Sequence, residues 1–202
     1  MRARDVMTSP VITVRPGTSV KEAAALLVAH GFTALPVVDD EEQLVGIVTE
    51  ADVVRGRIPR DPRARIWRQE EPVSDPPGAT VGEVMTSPVV VAAAGTDVGD
   101  VARTMLERGI RSVPVVEGSR VVGIVSRRDL VRTITRDDQV IARDVRHRLE
   151  IYGGRGRWTV EVRQGAVRIR DEYHDPTDRH VAAVLAQAVP GVVHVEVEST
   201  PS

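Results

Sequence analysis

Two short polar motifs of the same spacing are the part of this sequence best equipped for chemistry. Thr49 and Asp52, and likewise Ser126 and Asp129, stand three residues apart where an apolar run ends and a helical pattern begins. The hydroxyl and the N–H groups of a helix start can hold a phosphate, and a carboxylate can accept hydrogen bonds from a pair of hydroxyl groups. The same pairs also match capping boxes, which need no ligand. Ligand contact and capping alone therefore both stay open.

The motifs recur because the chain contains the same sequence twice. Residues 84–131 repeat the sequence of residues 6–53, and matched positions are 78 residues apart up to the second Pro-Val-Val and 77 apart after it. Two copies predict two similar units that pack face to face with pseudo-twofold symmetry, and a site between such units tends to occur twice. Gly46 and its counterpart Gly123 are expected to let the backbone approach a ligand closely.

Each copy is predicted to run strand, helix, strand, strand, helix. Gly31 is expected to end the first helix as its C-cap, and the continuous apolar runs favour strands that are covered on both faces. In the first copy the predicted strands are 11–14, 35–38 and 44–48, with a helix from about residue 20. In the second copy they are 89–91, 113–116 and 121–125, with a helix over 97–108.

A third unit is predicted after the repeats. Its helical face of Val140, Ile141, Val145 and Leu149 precedes a hairpin of 159–163 and 166–170 around Gln164-Gly165. A second helix with Val181, Val184, Leu185 and Val189, and a strand over 193–197, complete an αββαβ order. The predicted fold class is therefore α/β (α+β), divided into repeat 1 (1–57), a linker (58–79) where Ile66-Trp67 can dock, repeat 2 (80–136) and the αββαβ segment (137–202).

Composition narrows the classes of function. The 202 residues include no cysteine, carry a net charge of −2 and begin without an apolar run, so we expect a cytoplasmic protein without disulfides. The weak charge and scarce aromatic residues argue against a nucleic-acid binder. Arginines from 143 to 170 form a basic stretch that can meet anionic lipid or nucleic acid; a solvated face is the alternative.

Enzyme motifs are missing from the sequence. It has no HExxH, no nucleophile elbow and no phosphate loop, so we predict no catalytic residue and no enzyme activity. His174, Asp175, Asp178 and His180 are scattered in a way that does not favour a metal site, and none is predicted.

The duplicated segment resembles a cystathionine β-synthase (CBS) domain pair, also called a Bateman module. The resemblance is carried by the opening Met7-Thr8-Ser9-Pro10, by the segment 31–38 that ends in Pro-Val-Val, and by Gly46-Ile47-Val48-Thr49, each with its counterpart in the second copy. It covers residues 1 to about 135. It implies a regulatory ligand between the copies, either AMP, ADP or ATP or S-adenosylmethionine, and a disc-shaped homodimer.

The resemblance also assigns the site residues. Asp52 and Asp129 stand where the family's aspartate holds the ribose hydroxyls, and Arg111 stands where members often place a basic residue on the phosphate. Thr33 is the equivalent of Arg111 in the first copy, so phosphate discrimination is expected in the second; a solvated arginine is the alternative. The implied nucleotide-binding set is Ile12, Thr33, Pro36, Thr49, Asp52, Val90, Arg111, Pro114, Ser126, Arg128 and Asp129.

The αββαβ segment resembles a BON domain, a family associated with phospholipid and surface interactions. It departs from that family where a glycine usually ends the second strand, since Asp171-Glu172 stands there. Together the resemblances imply a sensor that relays an adenosine ligand to a BON-like unit, which contacts an unknown protein or anionic lipid. Two alternatives are a ligand-free dimerisation scaffold and a lipid- or nucleic-acid-binding adaptor acting through the basic segment.

Overall fold

The computed structural model describes residues 1–58, 79–173 and 175–199, so the predicted linker with Ile66-Trp67 lies almost wholly outside the described residues. The chain forms two compact units. Unit 1 contains Met1–Met7, Ala94–Arg108 and Val125–Ser202, and unit 2 contains Thr8–Ala93 and Gly109–Ile124. Each unit takes segments from both repeats.

The elements follow the predicted order closely. The first repeat contains α1 (Val20–His30), β1 (Ala34–Val38), β2 (Leu44–Thr49) and α2 (Glu50–Val54). The second contains α3 (Val81–Val84), β3 (Ala92–Ala93), α4 (Val98–Glu107), β4 (Ser112–Glu117), β5 (Arg120–Ser126) and α5 (Arg127–Ile134). The rest forms α6 (Asp138–Gly153), β6 (Trp158–Arg163), β7 (Ala166–Asp171), α7 (Pro176–Gln187) and β8 (His194–Ser199).

Helix α1 packs over the antiparallel pair β1–β2 in unit 2. The Ser19 hydroxyl caps its start by accepting from the N–H of Glu22, and Gly31 ends it at φ 63° as predicted. Strand β1 is buried along its whole length, which confirms the expectation of double-sided cover. The core beneath the helix consists of Val14, Ala23, Leu27, Leu35, Val37, Val48 and Val81.

The first predicted strand of each copy is wrong in extent. In the first copy only Val14 pairs, through a single parallel bridge with Val37, because its N–H donates to Pro36 O and its carbonyl accepts from Val38 N–H. In the second copy the strand is Ala92–Ala93 rather than 89–91, since these residues lie beside Val115 and Val116 of β4.

Unit 2 shows the predicted relation between the repeats. The Met-Thr-Ser-Pro segment that opens each copy pairs with the final strand of the other copy, β2 or β5. Thr86 and Ile47 exchange two backbone hydrogen bonds of 2.8 and 3.1 Å, and Thr8 and Ile124 exchange two of 2.9 and 3.1 Å. Because of this reciprocal pairing, residues of both repeats lie side by side in unit 2.

Gly46 lies against Met85 of the second repeat. A Cβ atom on Gly46 would overlap Sδ of the Met85 side chain, so the missing side chain allows this packing contact. The expectation that Gly46 lets a ligand approach the backbone stays a prediction.

The αββαβ segment lies in unit 1, and its sheet has the order β6-β7-β8 with β8 parallel to β7. The hairpin turn is the predicted one: Gln164 and Gly165 have φ 51° and 75°, as a type I′ turn requires. The Asp138 carboxylate accepts from both of their N–H groups at 2.7 and 3.0 Å. Ile141, Val145 and Leu149 of α6 are buried as predicted.

The predicted buried face of α7 is right only in part, since Val189, just after the helix, is buried and Leu185 packs against the core. Ala182 and Ala186 are fully buried, whereas Val184 is 51% exposed. The small alanine side chains let the helix backbone approach the rest of the core. Val184 lies about 200° around the helix from Ala182 and therefore faces away from the core.

An ion cluster around Arg157 joins the two ends of the hairpin to α7. Its guanidinium binds both oxygens of Asp171 at 2.8 Å and Asp178 at 2.6 Å, and it lies 4.3 Å from the Trp158 ring and 4.9 Å from the Tyr173 ring. Asp171 has no exposed side-chain area. Burial, the largest influence, raises the pKa of Asp171, but the hydrogen bonds from Arg157 and from Tyr173 N–H outweigh it and leave the pKa below its ordinary value.

Four of the eight arginines from 143 to 170 form ion pairs with carboxylates. Arg143 pairs with Asp144, and Arg157 with Asp171 and Asp178. On the exposed sheet face, Arg168 pairs with Glu196 and Glu198, and Arg170 pairs with Glu161 and Glu198. Such alternation of charge favours the solvated-face interpretation over binding of a polyanion.

In the described part of the chain, no helix combines the length and the apolarity needed to cross a bilayer.

Candidate functional site

The Thr49–Asp52 motif forms the capping box that its spacing predicts. Oδ2 of Asp52 accepts from the N–H and the hydroxyl of Thr49 at 2.9 and 2.7 Å, and the Asp52 N–H donates to the Thr49 hydroxyl at 3.4 Å. Asp52 is 7% exposed. Because the cap uses Oδ2, Oδ1 is the oxygen that can accept from the hydroxyl groups of a ligand.

Ser126 and Asp129 repeat this arrangement at the start of α5. The three corresponding distances are 2.8, 2.6 and 3.3 Å. The capping alternative is thus confirmed as local structure in both repeats, and a cap on one carboxylate oxygen is compatible with a ligand on the other.

The N-terminus of α2 offers less to a phosphate than the sequence suggested. The helix has five residues, its Asp52 N–H is bound to Thr49, and the N–H of Glu50 donates to Thr33 O at 3.2 Å. Charged side chains therefore have to supply most of any anion binding here.

Asp52 opens into a cavity of about 600 Å³ in unit 2, here called the Asp52 cavity. Its volume suits a ligand of nucleotide size. Residues of both repeats form its walls because Thr86 pairs with Ile47, and the Thr33 and Ser112 hydroxyls bond at 2.8 Å. The lining residues are Thr33, Ala34, Ile47, Thr49, Glu50, Ala51, Asp52, Val54, Arg55, Thr86, Gly109, Ile110, Arg111 and Ser112.

The structure places Arg111 in the Asp52 cavity rather than with Asp129. Arg111 comes from the second repeat, yet its Nη1 lies 3.8 Å from Oε2 of Glu50, the residue after Thr49. The sequence assigned Arg111 to the second motif and Thr33 to the first, whereas the structure brings both to one cavity. The reciprocal pairing of the repeats explains this, since each cavity wall draws on the other copy.

Asp129 lines a separate cavity of about 430 Å³ in unit 1, here called the Asp129 cavity. Both arginines in its wall are held by carboxylates. Arg132 lies 3.6 Å from Oδ1 of Asp129. Arg136 binds Asp144 at 2.6 Å and Pro190 O at 2.7 Å, and its hydrogen bond lowers the pKa of Asp144. The lining residues are Asp5, Val6, Met7, Asp129, Arg132, Thr133, Arg136, Asp144 and Pro190.

Several residues of the predicted set lie outside the walls of these two cavities, as the described residues define them. Ile12 packs against the core under α1, and Pro36 and Pro114 are buried within strands. Arg128 is exposed, and Arg127 is half-buried with a hydrogen bond to Met105 O at 2.8 Å. The remaining members outside the walls are Val90 and Ser126.

Most lining residues of the Asp52 cavity were missed by the sequence reasoning, among them the polar residues Glu50, Arg55 and Ser112. Glu50 had a usable signal, since it directly follows the cap residue Thr49. Arg55 had a similar signal, because it follows α2 three residues after Asp52. Ser112 had none, because it comes from the other repeat.

Across residues 1–58, 79–173 and 175–199, no group of three or more His, Cys, Asp or Glu side chains is arranged to hold a metal ion. Asp178 instead binds Arg157 and the Tyr152 hydroxyl. His174 lies outside the described residues.

The duplicated fold, the exchanged segments and the cavity lined by both copies define a tandem pair of similar modules. The model of the CBS domain matches residues 3–58 and 81–136. The chain therefore belongs to the CBS domain family, as the sequence motifs predicted.

Solved structures support the same assignment. The CBS domain pair of protein MJ0100, solved in complex with 5′-methylthioadenosine and S-adenosyl-L-methionine, is 33% identical with a TM-score of 0.54, over 65% of this chain and 98% of that one. CBSX2 of Arabidopsis thaliana, solved in complex with AMP, is 30% identical with a TM-score of 0.52, over 65% and 93%.

Relatives also set limits on what the match covers. This chain spans 43%, 31% and 56% of the length of the first three curated relatives. One relative is the L-aspartate semialdehyde sulfurtransferase of Methanocaldococcus jannaschii, 35% identical over 130 residues, which are 64% of this chain and 22% of that enzyme. The family match ends at residue 136, so the BON resemblance of the αββαβ segment stays a prediction.

Proposed function

We propose that this protein is a regulatory sensor that binds an adenosine-containing ligand in the Asp52 cavity. The observation that carries the proposal is the placement of Asp52 and Arg111 in one cavity of about 600 Å³. Asp52 is buried and held by its cap, so its free oxygen Oδ1 is positioned to accept from ribose hydroxyls. Arg111, at the exposed rim, binds the anionic group of the ligand.

Candidate ligands are AMP, ADP, ATP and S-adenosylmethionine, acting as regulators and not as catalytic cofactors. CBS-domain proteins are generally regulatory, and two solved relatives carry AMP or S-adenosylmethionine with 5′-methylthioadenosine. The Asp129 cavity is the proposed second site, with Ser126 and Arg128 beside it.

The proposed signal passes from the second repeat to the αββαβ segment within unit 1. Arg136 follows α5, lines the Asp129 cavity and binds Asp144 of α6 and Pro190 O after α7. A ligand that disturbs these bonds would change how the segment is held. Its target in this proposal is a cytoplasmic protein or an anionic lipid surface, contacted by a BON-like fold.

The first test is the response of affinity to Arg111→Ala. A hydrogen bond to a charged group contributes about 1.5–3 kcal/mol, and the exposure of Arg111 places its effect at the low end. We expect the affinity for AMP to fall about tenfold and that for adenosine to change little, by isothermal titration calorimetry. Thr33→Ala, the matched change at the equivalent position of the first repeat, should weaken both ligands slightly and equally.

Two outcomes of this titration would count against the proposal. Equal losses of AMP and adenosine in Arg111→Ala would show that the guanidinium does not touch phosphate. If the wild-type protein binds no adenosine ligand at millimolar concentration, the sensor function fails.

The second candidate function is a ligand-free dimerisation scaffold. It is favoured by the capping boxes of Thr49–Asp52 and Ser126–Asp129, which are complete without any ligand. Absence of ligand binding together with stable self-association would support it.

Self-association is a prediction of both candidates. We expect the apolar faces of α1 and α4 to mediate it; there Leu27, Val101 and Met105 are buried, but Val28 is 84% and Leu106 70% exposed. We propose that these two residues contact a second copy in a twofold homodimer, so light scattering should give twice the 22.0 kDa of one chain.

Charged substitutions test the dimer surface. Val28→Asp and Leu106→Asp should each shift the protein to the monomer mass, because an unpaired carboxylate at an apolar contact is costly. Ile151→Asp, at a residue of α6 that is 75% exposed, is the matched control and should leave the mass unchanged. A wild-type monomer at every concentration would contradict the proposal.

A further inference from the structure

The rim of the Asp52 cavity carries two opposite charges from different repeats. Nη1 of Arg111 and Oε2 of Glu50 lie 3.8 Å apart, with side chains 71% and 52% exposed. Each side chain keeps much of its freedom at the surface, so the two can separate to admit a ligand group between them. An exposed pair of this kind contributes little to stability. We therefore consider its function in ligand recognition.

The charges that line this cavity are balanced. Glu50 and Asp52 are acidic, and Arg55 and Arg111 are basic. A phosphate on Arg111 would displace Glu50 and leave its carboxylate unpaired beside a second anion, and like charges at such short range repel. Every further phosphate would add to that repulsion, so the cavity is poorly suited to di- and triphosphates.

A zwitterionic group avoids this problem. An α-amino acid tail presents a carboxylate, which can take the place of Glu50 on Arg111, and an ammonium group, which can take the place of Arg111 on Glu50. One protein ion pair is then exchanged for two ion pairs with the ligand, and no charge is left without a partner. Arginine suits the carboxylate because its guanidinium can bind both oxygens.

We propose that Glu50 and Arg111 select an adenosine ligand with a zwitterionic amino-acid tail over the adenosine phosphates. This inference rests on the proposed function, in which Asp52 accepts from the ribose hydroxyls of the same ligand. Glu50 is then the specificity-determining residue, because its carboxylate attracts the ammonium group of the ligand and repels a phosphate.

The test compares three probes by titration calorimetry on the full chain. S-adenosylhomocysteine carries the zwitterionic tail without a sulfonium charge, 5′-methylthioadenosine lacks the tail, and AMP carries a phosphate. We expect wild-type protein to bind S-adenosylhomocysteine about tenfold more tightly than 5′-methylthioadenosine. In Glu50→Gln the affinity for S-adenosylhomocysteine should fall about tenfold while that for AMP rises several-fold.

In Glu50→Gln the affinities for S-adenosylhomocysteine and AMP should change in opposite directions. A general structural effect would instead change both affinities in the same direction. Glu50→Gln should leave 5′-methylthioadenosine unaffected, and Arg111→Gln should weaken S-adenosylhomocysteine and AMP together. Glu42→Gln is the matched control: Glu42 also forms an exposed ion pair in unit 2, with Arg15, but lies outside the cavity walls as described. It should change none of the three affinities.

The two levels of the proposal fail differently. If none of the three probes binds at millimolar concentration, the proposed function fails and this inference fails with it. If they bind, but Glu50→Gln shifts S-adenosylhomocysteine and AMP in the same direction or not at all, only the selection by Glu50 is overturned.

Discussion

Asp171→Asn is expected to destabilise the αββαβ segment by about 3 kcal/mol, the low end of the range for breaking a buried ion pair. The substitution removes the charge that compensates the guanidinium of Arg157, which is itself only 12% exposed. The loss of stability stays at the low end of that range because Arg157 keeps its ion pair with Asp178 at 2.6 Å. Urea unfolding, with amide hydrogen exchange in β6 and β7, would measure it.

The pH dependence of this effect has a definite sign. The pKa of Asp171 is lowered in the folded protein, so its contribution to stability is present above the unfolded-state pKa of about 3.9 and is lost as the pH falls through the folded value. The difference in unfolding free energy between wild type and Asp171→Asn should therefore be constant near neutrality and shrink below about pH 4.

Glu161→Gln provides the control for this prediction. Glu161 pairs with Arg170 on the exposed sheet face, with both side chains nearly half exposed, and such a pair contributes at most about 1 kcal/mol. Equal losses in the two variants would mean that Asp171 acts through general charge and not through the buried bond to Arg157.

Much of the fold could be predicted because it follows from local pattern. The duplication predicted two similar units in contact, the three-residue spacing of Thr49 and Asp52 offered a capping box as one of two alternatives, and Gln164-Gly165 predicted a hairpin turn. Each of these depends on residues close together in the chain, where side-chain chemistry and backbone preference agree.

The cavity of Arg111 could not be predicted in the same way. Its neighbours Glu50 and Asp52 come from the other repeat, and they meet it because Thr86 pairs with Ile47. Alignment of the copies makes Arg111 the equivalent of Thr33, and this equivalence assigned Arg111 to the second site. Pseudo-symmetry is visible in sequence, whereas the exchange of segments is a property of the packed structure.

The burial of Asp171 could have been predicted from the alternation of β7, but the predicted strand ended one residue too early. Val167, Ile169 and Asp171 alternate along β7 and share its buried face, but a strand ended at residue 170 leaves Asp171 in a loop. Alternation carried one residue further would have placed a carboxylate in the core and required a cationic partner.

Asp52→Ala is expected to lower the affinity for adenosine, and for any adenosine ligand, by on the order of a hundredfold. The carboxylate is 7% exposed, and its loss leaves ribose hydroxyls buried without an acceptor, at a cost of about 3 kcal/mol. Because the base and the 5′ substituent do not enter this argument, adenosine, AMP and 5′-methylthioadenosine should lose affinity by similar factors in titration calorimetry.

Thr49→Ala separates this function of Asp52 from its function as a cap. That variant removes the hydroxyl bonded to Oδ2 at 2.7 Å but keeps the carboxylate, so stability should fall by about 1 kcal/mol while ligand affinity changes much less than in Asp52→Ala. Asp129→Ala removes the equivalent carboxylate from α5 and should abolish binding in the Asp129 cavity alone, leaving the Asp52 cavity with its wild-type affinity. If Thr49→Ala and Asp52→Ala lose the same stability and the same affinity, Asp52 is a cap only, and the ribose contact has to be withdrawn.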